Sequence, residues 1–542
     1  MFMKMVLALF LLLTSFFTPA KSQLYNNGAT INISDGAYVI VTGDLKNMGG
    51  TITNDGKIEV QGNFINSGSY TSTSNDDSLI MSGAGMDTLS PGSSAINYLT
   101  INKTTATDLV TLGSTAIINA RLDFLSGRFT TDPIANPSFS VTAPVSAVFN
   151  FGAGEEIVGI VKRTGWANGA PQIFNQPNMQ VTTSGGTAPT SFTVTMIPQS
   201  DGGDPTQNER EVKRKFLFSQ AGGSGFTADI RFPYVTGELN TNVEANLVPW
   251  ELVSSEWDAH LTPVVNNVSN HYAAITGITA TALSNEWKLA DPKYTFNITA
   301  YLRGAWTSGP NMTTGLNSVL PLSQPYNDVA FGSYNGGEAV PAGFFASHTN
   351  IVDWVLIDFR KPTSGLPSDA TSSTYAGRKA AFLLNTGVVV DLDGTTPLAF
   401  NIAKQGAGFI VVRHRNSLAA MSNSSPSNAA GYYTNDFSSL AGAYHNPSIS
   451  TDQEQLLTGS TKYGLWAGTA NKDGTVNASD IALVKSNANA VLTGYVFGDI
   501  NLDQTVNTGD VALTKVSANN TAQSSSATIA YRNIELKSHV PE

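Results

Sequence analysis

Val41-Thr-Gly43-Asp-Leu45-Lys-Asn47-Met-Gly49 returns nineteen residues later as Val60-Gln-Gly62-Asn-Phe64-Ile-Asn66-Ser-Gly68. The copies share Val, Gly, an apolar residue, Asn and Gly at matching places. From about Leu24 to Phe151 short alternating runs are separated by Asn-Gly and Asp-Gly turns. Leu99-Thr-Ile101 and Leu122-Asp-Phe124-Leu-Ser-Gly127 keep the alternation. A repeat this short cannot bury an apolar face alone, so its copies must stack. The spacing predicts a β-solenoid, a right-handed β-helix, over residues 23–152.

Before this stretch, Lys4, the apolar run Val6 to Phe17 and the small residues Ala20-Lys-Ser22 read as a secretory signal peptide over 1–22, cut before Gln23. That run is too short for a membrane span, and no later one is long enough. The mature chain is therefore expected outside the cell or at its surface, with no transmembrane segment. The composition agrees with a β-rich, turn-rich exported chain: 13% charged residues, 49 Gly, a net charge of −11 and no cysteine. Without disulfides, stability must come from packing and bound ions. The acidic balance argues against nucleic acid, which needs a basic patch. The solenoid resembles those of bacterial surface adhesins. Solenoids of this class also include polysaccharide lyases, but no catalytic cluster stands out in 23–152, so a rigid stalk is the simpler expectation.

After the solenoid the strand-like runs lengthen. Ile157 to Lys162, Ser191 to Met196, Val212 to Phe218 and Thr227 to Phe232 lie between Gly/Pro/Ser-rich loops, the pattern of a β-sandwich over 153–292. Lys213-Arg214-Lys215 lies beside Glu209 and Glu211 and reads as a solvated face. A second β-sandwich is expected over 293–425, with strands at Phe296–Arg303, Ile351–Arg360, Arg378–Leu384, Val388–Gly394 and Phe409–Asn416. Small polar residues mark 426–462 as a linker, and 521–542 as a tail whose run Ile529–Leu536 reads as a last strand.

Between linker and tail, over 463–520, two loops recur at an offset of thirty residues. One runs Asn471-Lys-Asp473-Gly474-Thr475-Val476-Asn477-Ala-Ser-Asp480, the other Asn501-Leu-Asp503-Gln504-Thr505-Val506-Asn507-Thr-Gly-Asp510. Each precedes a short helical run. Oxygen-bearing residues at alternate places suit calcium, a hard cation that takes six to eight oxygens. The first set is Asn471, Asp473, the Thr475 carbonyl, Asn477 and Asp480. The second is Asp499, Asn501, Asp503, the Thr505 carbonyl, Asn507 and Asp510. The closing Asp opens the following helix, whose positive end favours a carboxylate.

The pair resembles the type I dockerin, a small α-helical module of two such loop-helix halves. The resemblance covers roughly Trp466 to Val516. It implies calcium as the cofactor and a cohesin-like domain as a partner. The implied recognition residues are Ala478 and Ser479, Thr508 and Gly509, and the helix-face lysines Lys485 and Lys515. Two departures stand out. Thr469 replaces the usual opening Asp of the first loop, and Gln504 replaces the Gly of the sharp turn in the second. A non-Gly residue with positive φ costs on the order of 1 kcal/mol.

The runs Asp353-Trp354, Arg378-Lys379, Asp391-Leu-Asp393-Gly394 and Arg413-His414-Arg415-Asn416 resemble an uncharacterised module of large secreted Bacteroidetes-type proteins, often found just before a dockerin-like pair. The resemblance implies no known activity. By residue chemistry, Asp393-Gly394 reads as a turn, and Arg413 or Arg415 as an ion-pair partner of Asp353 or Asp358. Strand alternation sets His414 on the face opposite its two arginines. The histidines show no metal spacing, and no GxSxG elbow appears. Trp166, Trp306 and Tyr432-Tyr433 could stack on sugars, but read more simply as core.

Two functions follow. The first is a secreted, non-catalytic multi-domain surface protein, an adhesin or scaffold-associated, whose dockerin-like module binds calcium and docks a cohesin-like partner. The second is a carbohydrate-active component of a polysaccharide-degrading assembly, a glycoside hydrolase, lyase or carbohydrate-binding protein. Glycoside hydrolysis would need two carboxylates about 5–10 Å apart in a cleft. A polysaccharide or cell-surface glycan is the ligand class common to both.

Overall fold

The computed structural model describes residues 22–72, 77–198, 211–423, 432–519 and 536–541. The signal-peptide run therefore lies outside the described residues, as do Glu209 and most of Ile529–Leu536. The chain is mainly β. It divides into two compact units, the described parts of Met1–Asp201, Glu211–Leu252 and Thr262–Ala290, and those of Val253–Leu261 and Asp291–Glu542. No helix among the described residues is long and apolar enough to cross a membrane.

The first unit begins as a β-solenoid, and the nineteen-residue repeat is its register. Val41 pairs in parallel with Val60, Leu45 with Phe64 and Asn47 with Asn66. The stacking continues. Val60 pairs with Met81, Met81 with Ile101, Ile101 with Phe124 and Phe124 with Phe151. A second column runs Leu24, Leu45, Phe64, Leu89, Leu112. A third side stacks Ile31, Ile52 and Tyr70. Most of these side chains are fully buried, so each coil supplies the apolar partner that its neighbour lacks.

The repeated asparagines have a different task. Asn26 Nδ2 donates to Asn47 Oδ1 at 2.9 Å, and Asn47 Nδ2 donates to Asn66 Oδ1 at 2.7 Å. This ladder satisfies polar groups buried at one corner of the coil. Gly68 closes the same corner: a Cβ there would lie 2.2 Å from the Gly50 carbonyl oxygen and 2.8 Å from Asn47 Nδ2.

The parallel stack ends where Ile157–Thr164 pairs in parallel with Val141–Pro144 on one side and antiparallel with Ser191–Pro198 on the other. The sheet then continues through Arg214–Ala221, Glu286–Ala290 and Val248–Val253. A five-stranded sheet of Gln172–Ile173, Gln180–Ser184, Thr227–Pro233, Tyr272–Thr279 and Val264–Asn267 packs against it. Phe232 meets Phe216 and Trp287 with ring centroids 5.2 and 5.6 Å apart, and one apolar core runs from Ile33 to Leu289. The solenoid's last open edge is thus covered by its own chain.

The second unit centres on a five-stranded antiparallel sheet ordered Val389–Val390, Tyr375–Leu384, Ile351–Arg360, Phe409–His414, Ser417–Met421. All ten residues of Ile351–Arg360 are buried. A three-stranded sheet of Leu398–Asn401, Lys293–Thr299 and Tyr432–Asp436 contributes Phe296, which stacks on Phe400 at 4.2 Å and meets Phe359 at 5.8 Å. Tyr432–Asp436, which composition alone assigns to a linker, is thus a sheet strand. Two helices, Ala478–Asn489 and Thr508–Asn519, share a small core of Val484, Ile500 and Val506. Leu536–Lys537 pairs with Thr475–Val476, the described remnant of the expected last strand.

Candidate functional site

The thirty-residue repeat is also a repeat of hydrogen bonds. Asn471 Nδ2 donates to Asp473 Oδ2 at 2.8 Å, and Asn501 Nδ2 to Asp503 Oδ2 at 2.7 Å. The Thr475 and Thr505 amides each reach the preceding Asp at 2.9 Å. Asp480 accepts from the amides of Asn471 and Asn477 at 3.1 and 3.0 Å. Asp510 accepts from Ile500, Asn501 and Asn507 at 2.7, 2.9 and 2.8 Å. Each closing Asp thereby clamps its loop onto the start of the following helix. Positive φ recurs in register as well, at Lys472 (64°) and Gly474 (74°), then at Leu502 (61°) and Gln504 (75°).

The two departures from the dockerin pattern have distinct consequences. Gln504 takes the left-handed turn despite its Cβ. Its amide Nε2 donates to the Gly315 carbonyl at 2.6 Å and to Ser318 Oγ at 2.9 Å, contacts a glycine could not make. Thr469 is 4% exposed, and its Oγ1 has no hydrogen-bond partner among the described residues. The equivalent Asp499 accepts from the Asp503 and Gln504 amides at 3.1 and 2.9 Å. Burial pushes the Asp499 carboxyl up to about 6, and raises Asp480 and Asp510 as well. Asp473 lies below the usual range: burial opposes ionisation there, but hydrogen bonds from Thr475 and Asn471 overcome it.

This donor set fits a hard cation. Buried carboxylates that resist ionisation and Asn side chains line both loops, and the Thr469 oxygen lies at the first. Among the described residues no three Asp, Glu, His or Cys side chains converge by themselves as a metal cluster. The sets in question mix carboxylates with amide and main-chain oxygens. Ala478, Ser479, Lys485, Thr508, Gly509 and Lys515 are all exposed.

A second constellation lies beside the loops. Asp353, fully buried on the central strand, accepts from Arg415 Nε at 2.9 Å and from the Tyr495 hydroxyl at 2.8 Å, and meets His414 Nε2 at 3.1 Å. Burial would raise this carboxyl, but Arg415 holds it below the usual range. Burial lowers His414 and keeps it neutral near pH 7. Asp358 faces three arginines: Arg378 at 2.7 Å, Arg413 at 3.0 Å and Arg360 at 3.6 Å. The expected ion pairs thus form, Arg415 with Asp353 and Arg413 with Asp358. The expected separation of His414 from its arginines holds for Arg413, which turns to Asp358, but not for Arg415. The strand ends at His414 after a register shift, so His414 and Arg415 reach one carboxylate.

The same run grips the segment between the loops. Arg415 Nη1 donates to the Val496 carbonyl at 2.6 Å, and Asn416 Nδ2 to the Asp499 carbonyl at 2.7 Å. Tyr495 lies under the Arg415 guanidinium at 4.2 Å. Lys472 of the first loop pairs with Asp328 at 2.7 Å. A cavity of about 400 Å3 separates these groups from the last strand; Arg413, Lys472, Asp473 and Ser538 line it.

Other sequence candidates prove structural. Asp391 pairs with Lys379 at 2.7 Å, and Asp393 accepts from the Thr395 and Thr396 amides at 2.9 and 2.8 Å, the expected turn. Trp166, Trp306 and Tyr433 are buried, and Tyr432 is 38% exposed. Arg214 corrects the solvated reading of its run. It is 1% exposed, held by Glu156 at 2.6 Å and Glu238 at 2.8 Å, because strand alternation turns it inward while Lys215 faces out to Glu286. Compared with known proteins, the chain matches no family model, no curated protein and no solved structure.

Proposed function

We propose that this chain is an exported, non-catalytic surface protein, an adhesin or scaffold-associated component, whose paired loops bind calcium and thereby clip together the second unit. One observation carries the reading. Asp480 and Asp510 are fully buried at corresponding places of two loops with the same hydrogen-bond pattern, and Asp499, where the first loop has Thr469, is a third fully buried carboxylate. Leaving ionised carboxylates buried is costly unless a cation compensates. Calcium supplies that charge and takes oxygens from Asn471, Asp473, Thr475, Asn477 and Asp480, with Thr469 beside them, and from Asp499, Asn501, Asp503, Thr505, Asn507 and Asp510. The exposed residues before each closing Asp, with Lys485 and Lys515, leave a surface for a cohesin-like partner. The grip of Arg415 and Asn416 on residues 496–499 favours the internal clip as the loops' first task.

The test is calorimetric titration of calcium into the metal-stripped full chain. Saturable uptake of one or two ions is expected, and Asp503→Ala with Asp510→Ala should abolish uptake by the second loop. Absence of uptake at millimolar calcium would overturn the reading.

A further inference from the structure

The outer face of the five-stranded sheet in the first unit is indented. Side chains alternate along its strands. Val181, Ile230, Ala273 and Ile275 enter the core, while Thr182, Asp229, Arg231 and Ala274 lie on the other side. Ala274 is paired directly with Arg231 on one neighbouring strand and with Val265 on the other. A methyl group between two longer side chains leaves a depression, and a cavity of about 360 Å3 lies there. That volume falls within the ordinary range of small-ligand sites.

Its polar groups are held in place. Asp229 accepts from the Gly277 amide at 3.0 Å. Gln180 donates from Nε2 to the Pro177 carbonyl at 2.9 Å, which orients its amide. The Arg231 guanidinium lies 4.8 Å from the centre of the Tyr272 ring and has no ion-pair partner among the described residues. The Tyr272 hydroxyl accepts from Asn267 Nδ2 at 3.2 Å. Val265 is 63% exposed at the rim.

We propose that this groove binds a neutral oligosaccharide. A carboxylate accepts hydroxyl protons, and a guanidinium donates a fork of N–H groups to neighbouring hydroxyl oxygens. Val265, exposed at the rim, offers apolar surface to the C–H face of a pyranose, and the Tyr272 ring backs the guanidinium that faces the hydroxyls. One carboxylate and one guanidinium cancel, so an anionic ligand meets Asp229 and a cationic one meets Arg231. A polyhydroxylated neutral ligand uses both. The proposal rests on the surface-protein reading only in that such a protein meets glycans, and it does not depend on calcium.

The experiment is a screen of the full chain against an array of neutral and acidic glycans, followed by titration calorimetry with the best hexasaccharide, with and without EDTA. Saturable binding of a neutral glycan is expected, unchanged by EDTA. Arg231→Ala and Asp229→Ala should each weaken it at least tenfold. Ala274→Leu should abolish it by filling the floor, and thermal melting shows that each variant remains folded. No neutral ligand on the array, a preference for uronic acids, or binding that survives Ala274→Leu and Arg231→Ala in folded protein would overturn the proposal. Loss of calcium uptake with glycan binding intact would sink the calcium reading alone.

Discussion

Arg415 donates from Nη1 to the Val496 carbonyl at 2.6 Å while its Nε holds Asp353 at 2.9 Å. One buried guanidinium therefore joins the central strand of the second unit to the segment between the two loops. Removing one partner of a buried pair strands the other charge and costs about 3–5 kcal/mol. Arg415→Ala should destabilise the second unit by that order in urea unfolding. Arg415→Lys should rescue only part, because an ammonium lacks the planar fork that reaches both oxygens.

Gln504 separates strain from contact. Its φ of 75° is unfavourable, yet its amide reaches Gly315 and Ser318. Gln504→Gly relieves the strain as it loses the contacts and should change stability by less than about 0.5 kcal/mol. Gln504→Ala keeps the strain, loses the contacts and should cost about 1–2 kcal/mol. Equal effects of the two variants would contradict this division.

The pH response has two opposed parts. Burial, helped by the neighbouring His445, lowers the His539 imidazole to about 4. A folded-state value below the unfolded 6.5 means stability is full above 6.5 and falls as pH drops toward 4, by about 3 kcal/mol. His539→Gln should flatten that limb. Burial raises the Glu454 carboxyl well above its usual value. Its contribution is present at low pH and is lost as pH rises above 4.5. Glu454→Gln should therefore stabilise the protein at pH 7–8 and change little at pH 4, as read from denaturation midpoints.

Asn47 Nδ2 serves Asn66, the Gly50 carbonyl at 3.0 Å and the Ser69 carbonyl at 3.0 Å, all at one corner of the solenoid. Asn47→Leu breaks the ladder, taking a partner from Asn26 Nδ2 and from Asn66 Oδ1, and should cost about 2–3 kcal/mol. Because coils contact only their neighbours, the loss should appear as faster hydrogen exchange in residues 24–72 before any change near Ile157.

The legibility of this chain followed sequence distance. Val41 with Val60 and Asn471 with Asn501 are local repeats, and each repeats a structure. The solenoid register was readable because stacking forces equivalent residues together. What escaped depends on contacts between distant segments. Nothing near Arg415 announces Val496, and nothing near Gln504 announces Gly315, 189 positions away. Arg214 misled because a charged triplet looks solvated until alternation and two glutamates draw its middle member inward. The groove over Ala274 was invisible for a related reason, since a small residue marks a depression only when its cross-strand neighbours are known.

The most direct measurement is thermal unfolding of the metal-stripped full chain, with and without calcium, alongside the Asp503→Ala, Asp510→Ala variant. At a hundredfold excess over its dissociation constant, a cation bound only by the folded state adds about 2.7 kcal/mol. The expected result is a transition that shifts upward with calcium in the native sequence and shifts less, or not at all, in the variant. Coincident curves with and without calcium in the native sequence would contradict the calcium clip.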